Sequence, residues 1–240
     1  MSTREDWMRR LGPLYGGAVA LRHSTPWRWP DTIGGEARSS FWLVALGVPI
    51  GVVAYVAAAL LDAAGIPPSI GAIVGLAILS LASAALVERG LVARIDGEHA
   101  TAPSVTSILV LVFSTLIRAA AIFAIAPSDW LGVFVATALV GRWAAAFLQA
   151  LGDPIIDDDS PRSLVATPAP AWLTAALSVG VAVLVVIALG KAGVVALALT
   201  AAIAFALGLD AQRRDRGLSA PVVATAAAVG EMIVLLVATL

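Results

Sequence analysis

The chain contains no cysteine, which excludes disulfides, thiolate metal sites and cysteine nucleophiles. It is also poor in charge: 13% of its 240 residues are Asp, Glu, Lys or Arg, where a soluble domain carries about a quarter. No Gly-rich phosphate loop, no H-E-x-x-H and no G-x-S-x-G occurs, so three common signatures of catalytic chemistry are missing. The opening MSTREDWMRR mixes acids with bases, and no apolar core of signal-peptide type precedes Phe41, so a cleaved signal is not expected.

What is present is apolar mass: 60% of residues are hydrophobic and the mean hydropathy is +0.95. These values define an integral membrane protein. Ala, Val, Leu and Gly dominate, which suits helices packed through small side chains rather than the short alternating segments of an outer-membrane barrel. An all-α bundle is therefore expected, with lipid as its main surroundings. About 20 apolar residues cross a bilayer, and this length rule gives seven spans: Phe41 to Leu61, Ser69 to Val87, Ser104 to Ala126, Trp130 to Leu151, Ala171 to Leu189, Ala192 to Leu209, and Pro221 to Leu240. Only Gly190 and Lys191 separate the fifth from the sixth, so a tight hairpin or one long bent element is open there, and six to eight spans are compatible with the pattern.

Residues 1–40 carry six arginines, with Trp27 and Trp29 beside Arg22 and Arg28, and read as a cytoplasmic, interfacial segment ahead of one transmembrane domain, 41–240. Cytoplasmic loops hold the excess of Lys and Arg. The N-terminal segment and the loops after spans two, four and six together hold twelve, whereas the loops after spans one, three and five hold Lys191 alone. That alternation predicts a cytoplasmic N-terminus, an external C-terminus and a cytoplasmic loop over 88–103. Arg118, Arg142 and Glu231 fall inside spans, where charge is expensive and turns toward the bundle interior or a wet cavity. For the arginines the alternatives are a buried ion pair, a snorkelling side chain or an anion-binding group. Glu231 is a partner for Arg118 or Arg142, or part of a substrate cavity. Asp153, Asp157, Asp158 and Asp159, set among prolines, read as a solvated turn.

Four segments in order carry a resemblance. They are ALRHSTPW with FWLVALGVPIGVVAYVAAAL after it, RGLVARIDG, LVGRWAAAFLQAL, and the ending RRDRGLSAPVVATAAAVGEMIVLLVATL. Together the chain resembles the adenosylcobinamide-GDP ribazoletransferases, the cobalamin synthases of the bacterial inner membrane. The resemblance implies a Mg²⁺-dependent transfer that joins adenosylcobinamide-GDP to α-ribazole and releases GMP. It also implies corrinoid and α-ribazole-type ligands and a membrane complex with other cobalamin-assembly proteins; nothing points to nucleic acid. Hard Mg²⁺ takes oxygen ligands and bridges phosphate oxygens. The family's pattern D-G-x-A-D-x-x-D-G puts three aspartates at i, i+4 and i+7, within about 60° of one helix face.

In RGLVARIDG those positions are Arg89, Ala93 and Asp96, with Gly90 and Gly97 retained. By the resemblance Asp96 is the catalytic carboxylate and a metal ligand, and Arg89, Arg94, Arg142 and Glu231 are substrate contacts. Arginine at the first position disfavours a divalent cation and favours phosphate. Glu88, Glu98 and His99 adjoin the motif, and with Asp96 they form a candidate rearranged metal site. RGLVAR also echoes the D-G-x-x-A-R of the CDP-alcohol phosphotransferases, without their later aspartates. Three functions follow: a divergent but active transferase, a catalytically impaired relative that binds a corrinoid or phosphate-bearing ligand, and a small-molecule transporter.

Overall fold

A computed structural model describes residues 4–27, 29–30, 33, 39–97, 100–155 and 170–240. Among them there is no strand, and the all-α membrane architecture expected from composition is what is found. The N-terminal segment forms α1 (Arg4–Leu11) and α2 (Tyr15–Ser24), and the bundle consists of α3 (Ser39–Ala45), α4 (Gly47–Ala63), α5 (Pro68–Ala82), α6 (Leu86–Asp96), α7 (Val105–Phe123), α8 (Trp130–Gln149), α9 (Ala171–Leu189), α10 (Lys191–Arg214) and α11 (Ala220–Val237). Among the described residues six helical stretches are long and apolar enough to span a membrane; α5 and α6, bent by 68° at their break, count as a seventh if the pair is one span rather than a re-entrant turn.

Two helices occupy the middle. α8 packs against α3, α4, α5, α9, α10 and α11, and α11 packs against α6, α7, α8 and α10. Their sequences explain the placement: VATALVGRWAAAF and APVVATAAAVGEM are rich in Ala and Gly, and small side chains let backbones approach where no hydrophobic effect drives helices together. The approach of α4 to α8 depends on Gly51, since a Cβ there would stand 2.5 Å from Val135 Cα. The outer helices α7, α9 and α10 turn Phe113, Ile117, Ile187 and Phe205 outward, the apolar exterior a lipid-facing surface requires.

The expected boundaries hold at the ends set by Pro and Gly. Pro68 opens α5, Pro221 sits in the first turn of α11, and Ser104 caps α7 by accepting from the Ser107 N–H at 3.2 Å. Gly190, with φ of +59°, turns α9 directly into α10, so the fifth and sixth spans form a tight hairpin.

Two expectations are corrected. The second span is not one straight helix, for it breaks between Ala82 and Leu86. The stretch read as a loop from residue 88 is helical as far as Asp96. Hydropathy ends a span at the first charges, but Glu, Arg, Leu and Ala are strong helix formers, and α6 buries Val87 and Gly90 against α11.

Candidate functional site

The α5–α6 break is strained and braced. Ala84 and Ala85 both take left-handed backbone angles, φ +53° and +51°, at about 1–2 kcal/mol each for a residue with a Cβ. Local bonds recover part of this. The Ala85 N–H donates to the Ser80 carbonyl at 2.7 Å, the Ala84 N–H to the Leu81 carbonyl at 3.0 Å, and the Ser83 hydroxyl to the Leu79 carbonyl at 2.7 Å. Two charged side chains, one local and one from a distant helix, complete the brace. Arg142 of α8 donates to Ser83 Oγ at 2.6 Å, and Ser80 Oγ donates to Glu88 at 2.6 Å.

Those contacts belong to one buried network. Arg118 of α7 pairs with Glu231 of α11 and also with Glu88 of α6 at 3.3 Å. Arg142 spends its second terminal nitrogen on the Ala138 carbonyl at 3.0 Å. Arg118, Arg142 and Glu231 are 7%, 3% and 4% exposed, so all three charges sit away from lipid and water. Two arginines and two glutamates balance, which a low-dielectric interior demands. The balance leaves loose ends: Nε of Arg118, Nε of Arg142 and Oε2 of Glu88 are buried with no hydrogen-bond partner among the described residues. Of the alternatives open for Glu231, the pair with Arg118 is the one formed.

The motif residues separate along α6. Asp96 closes the helix and binds the start of α7: its carboxylate accepts from the Ser104 N–H at 2.9 Å, from Ser107 Oγ at 2.6 Å and from Ser104 Oγ. Arg94 bridges to the end of α10, at 3.1 Å from Asp215 and 3.5 Å from Asp210. Arg89 is exposed and has no ion pair among the described residues. Both motif glycines have local reasons. A Cβ on Gly90 would collide with Ala224 of α11, and Gly97 ends α6 at φ +91°.

Arg89, Ala93 and Asp96 therefore do share one helix, as the spacing predicts. Glu88 and Asp96, eight residues apart, are about 12 Å apart along the axis and serve different partners. Glu98 and His99 lie outside the described residues, as do Asp157, Asp158 and Asp159.

A Mg²⁺ site needs several free carboxylate oxygens converging on one point. The described carboxylates do not fit that need: Asp96 accepts three hydrogen bonds, and Glu88 and Glu231 share Arg118. Among the described residues no group of three or more His, Cys, Asp or Glu side chains is placed to hold a metal ion. Ser80, Ser83, Ser104 and Ser107 are the functional neighbours that sequence reasoning passed over, their only signal being polar residues at the edges of apolar runs.

Fold and site define a polytopic α-helical membrane protein with a charge-balanced polar centre at a broken helix. Compared with family models, curated proteins and solved structures, the chain matches none.

Proposed function

We propose that the chain is a catalytically impaired relative of the adenosylcobinamide-GDP ribazoletransferases, one that binds a corrinoid or another phosphate-bearing ligand at a bacterial inner membrane without transferring the phosphate. The observation that carries this reading is the commitment of the carboxylates: a metal taking Asp96 would have to displace three hydrogen bonds that join α6 to α7. The order of the four resembling segments supports the family, and the Lys and Arg distribution supports a cytoplasmic end for α6. Among the described residues Arg89 is the ligand contact left without an ion pair. Arg94 becomes available only by exchange with Asp210 and Asp215, and Arg142 and Glu231 are held within the interior network.

Purified protein in lipid nanodiscs, titrated with adenosylcobinamide-GDP and followed by corrinoid absorbance, tests this. Saturable binding that survives chelation of Mg²⁺ and weakens several-fold in Arg89→Gln is expected. Mg²⁺-dependent release of GMP on adding α-ribazole would instead establish the active transferase.

One observation favours a second reading. A helix broken beside a buried arginine near the middle of α8 is a feature of transporters. Corrinoid or phosphate flux into proteoliposomes, abolished by Arg142→Gln, would replace the binding role with transport.

A further inference from the structure

Nε of Arg118, Nε of Arg142 and Oε2 of Glu88 are the three polar atoms that the interior network leaves buried with no hydrogen-bond partner among the described residues. They belong to one neighbourhood. Glu88 pairs with Arg118 at 3.3 Å, and Arg118 also pairs with Glu231. Glu231 lies against the residue preceding Arg142, for a Cβ on Gly141 would stand 2.5 Å from the Glu231 Cγ. Arg142 reaches Ser83, and Ser80, about one turn earlier, reaches Glu88. These contacts close a ring that runs from the α5–α6 break through α8, α11, α7 and α6 and back to the end of α5. Leaving a buried polar group unpaired costs about 1–3 kcal/mol, so three on one ring point to a ligand that the side chains themselves do not supply.

Donor and acceptor capacity decides what fits. Each Nε carries one N–H and can only donate, whereas a carboxylate oxygen can only accept. A metal cation cannot take the two N–H groups, and a halide cannot donate to Glu88. Either ion would also unbalance two arginines and two glutamates in a low-dielectric interior. The ligand is therefore neutral, and it both accepts and donates. Water is the smallest such molecule, and a buried water makes about three hydrogen bonds to groups otherwise unpaired. Non-helical backbone at membrane depth is itself tolerated where it is buried in protein or lines a wet cavity, and the α5–α6 break carries part of this ring. The Glu88 side chain is 24% exposed, well above those of Arg118 and Glu231, so the ring is most open at the first turn of α6.

We infer that the ring holds an internal water site, in which ordered water accepts from the Nε–H groups of Arg118 and Arg142, donates to Glu88 Oε2, and enters on the Glu88 side. The site completes the polar centre of the bundle and is independent of any corrinoid binding.

The full chain in lipid nanodiscs, carrying isotope-labelled arginine, is read by NMR for magnetisation transfer between water and the arginine Nε–H groups. Arg118→Lys and Arg142→Lys keep the charge and delete one Nε–H each, so the two signals are assigned by their loss. Both signals should show transfer from water. Both should keep it in Ser80→Ala/Ser83→Ala, which removes the hydroxyls whose exchange imitates water, with helicity checked by circular dichroism. Infrared difference spectra of the wild type repeat the test without a variant, since water labelled with heavy oxygen shifts the stretch of bound water and not that of a serine hydroxyl. Absence of transfer at either Nε–H in the wild type overturns the assignment. So does transfer that vanishes in the folded serine variant, or an infrared spectrum with no shifted band, because each gives the signal to the hydroxyls and leaves the ring dry.

Discussion

Replacing Arg118 with methionine removes the cation that Glu231 and Glu88 share while keeping side-chain length and packing. Glu231 is buried in α11, and the only other cation near it among the described residues is Arg142, while Glu88 repels it. Breaking a buried pair by deleting one partner costs about 3–5 kcal/mol; at roughly 2–4 °C per kcal/mol for a chain of this size, the thermal midpoint should fall by some 6–20 °C. The double variant Arg118→Met/Glu231→Met removes both charges, and because an apolar pair of similar volume is often neutral in such a position, it should recover to within about 1–2 kcal/mol of the wild type. The cycle then yields a coupling of at least about 2 kcal/mol. Thermal unfolding in one lipid composition, followed by helix signal and by intrinsic tryptophan fluorescence, reads all four proteins. An Arg118→Met protein within about 1 kcal/mol of the wild type, or a double variant as damaged as the sum of the singles, would refute the claim that this network holds the bundle together.

Three further outcomes follow from the same geometry. Ala85→Gly relieves a left-handed alanine and should stabilise the protein by up to about 1 kcal/mol; destabilisation would mean that the break is not left-handed at this residue. Gly90→Val drives a side chain into Ala224 and should cost about 1–3 kcal/mol, with partial rescue by Ala224→Gly; no rescue would place the collision elsewhere. Asp96→Asn weakens the hydrogen bonds to Ser104 and Ser107, so hydrogen exchange should accelerate across the junction of α6 with α7 and stay unchanged in α9 and α10. Uniform exchange along the chain would contradict a local joining role.

The approximate number of spans and most of their ends were legible because the signals are local: long apolar runs, Pro at first turns, Gly190 at the hairpin, Ser104 before a span. The α5–α6 break was not, because it has no Gly or Pro to mark it. Two alanines take up the strained angles, and what stabilises them is Arg142, some sixty residues along the chain. Glu88 was misplaced for a related reason, since a charge ends a hydropathy window even when it turns inward to a partner on another helix. The depth of Arg118, Arg142 and Glu231 was evident from their positions in apolar runs. Which arginine meets Glu231 depends on how α7 and α8 rotate against α11, and local sequence carries little of that. Asp96 read as a ligand because its spacing matches a motif; its partners, Ser104 and Ser107, belong to the next helix.

Adenosylcobinamide-GDP binding and GMP release, followed in the same nanodisc sample with α-ribazole and Mg²⁺ present, decide between a ligand-binding protein and a working transferase. Saturable corrinoid binding with no GMP above the protein-free background is the expected result. Mg²⁺-dependent GMP release that disappears in Asp96→Ala would overturn the binding-only role and make Asp96 a working catalytic carboxylate.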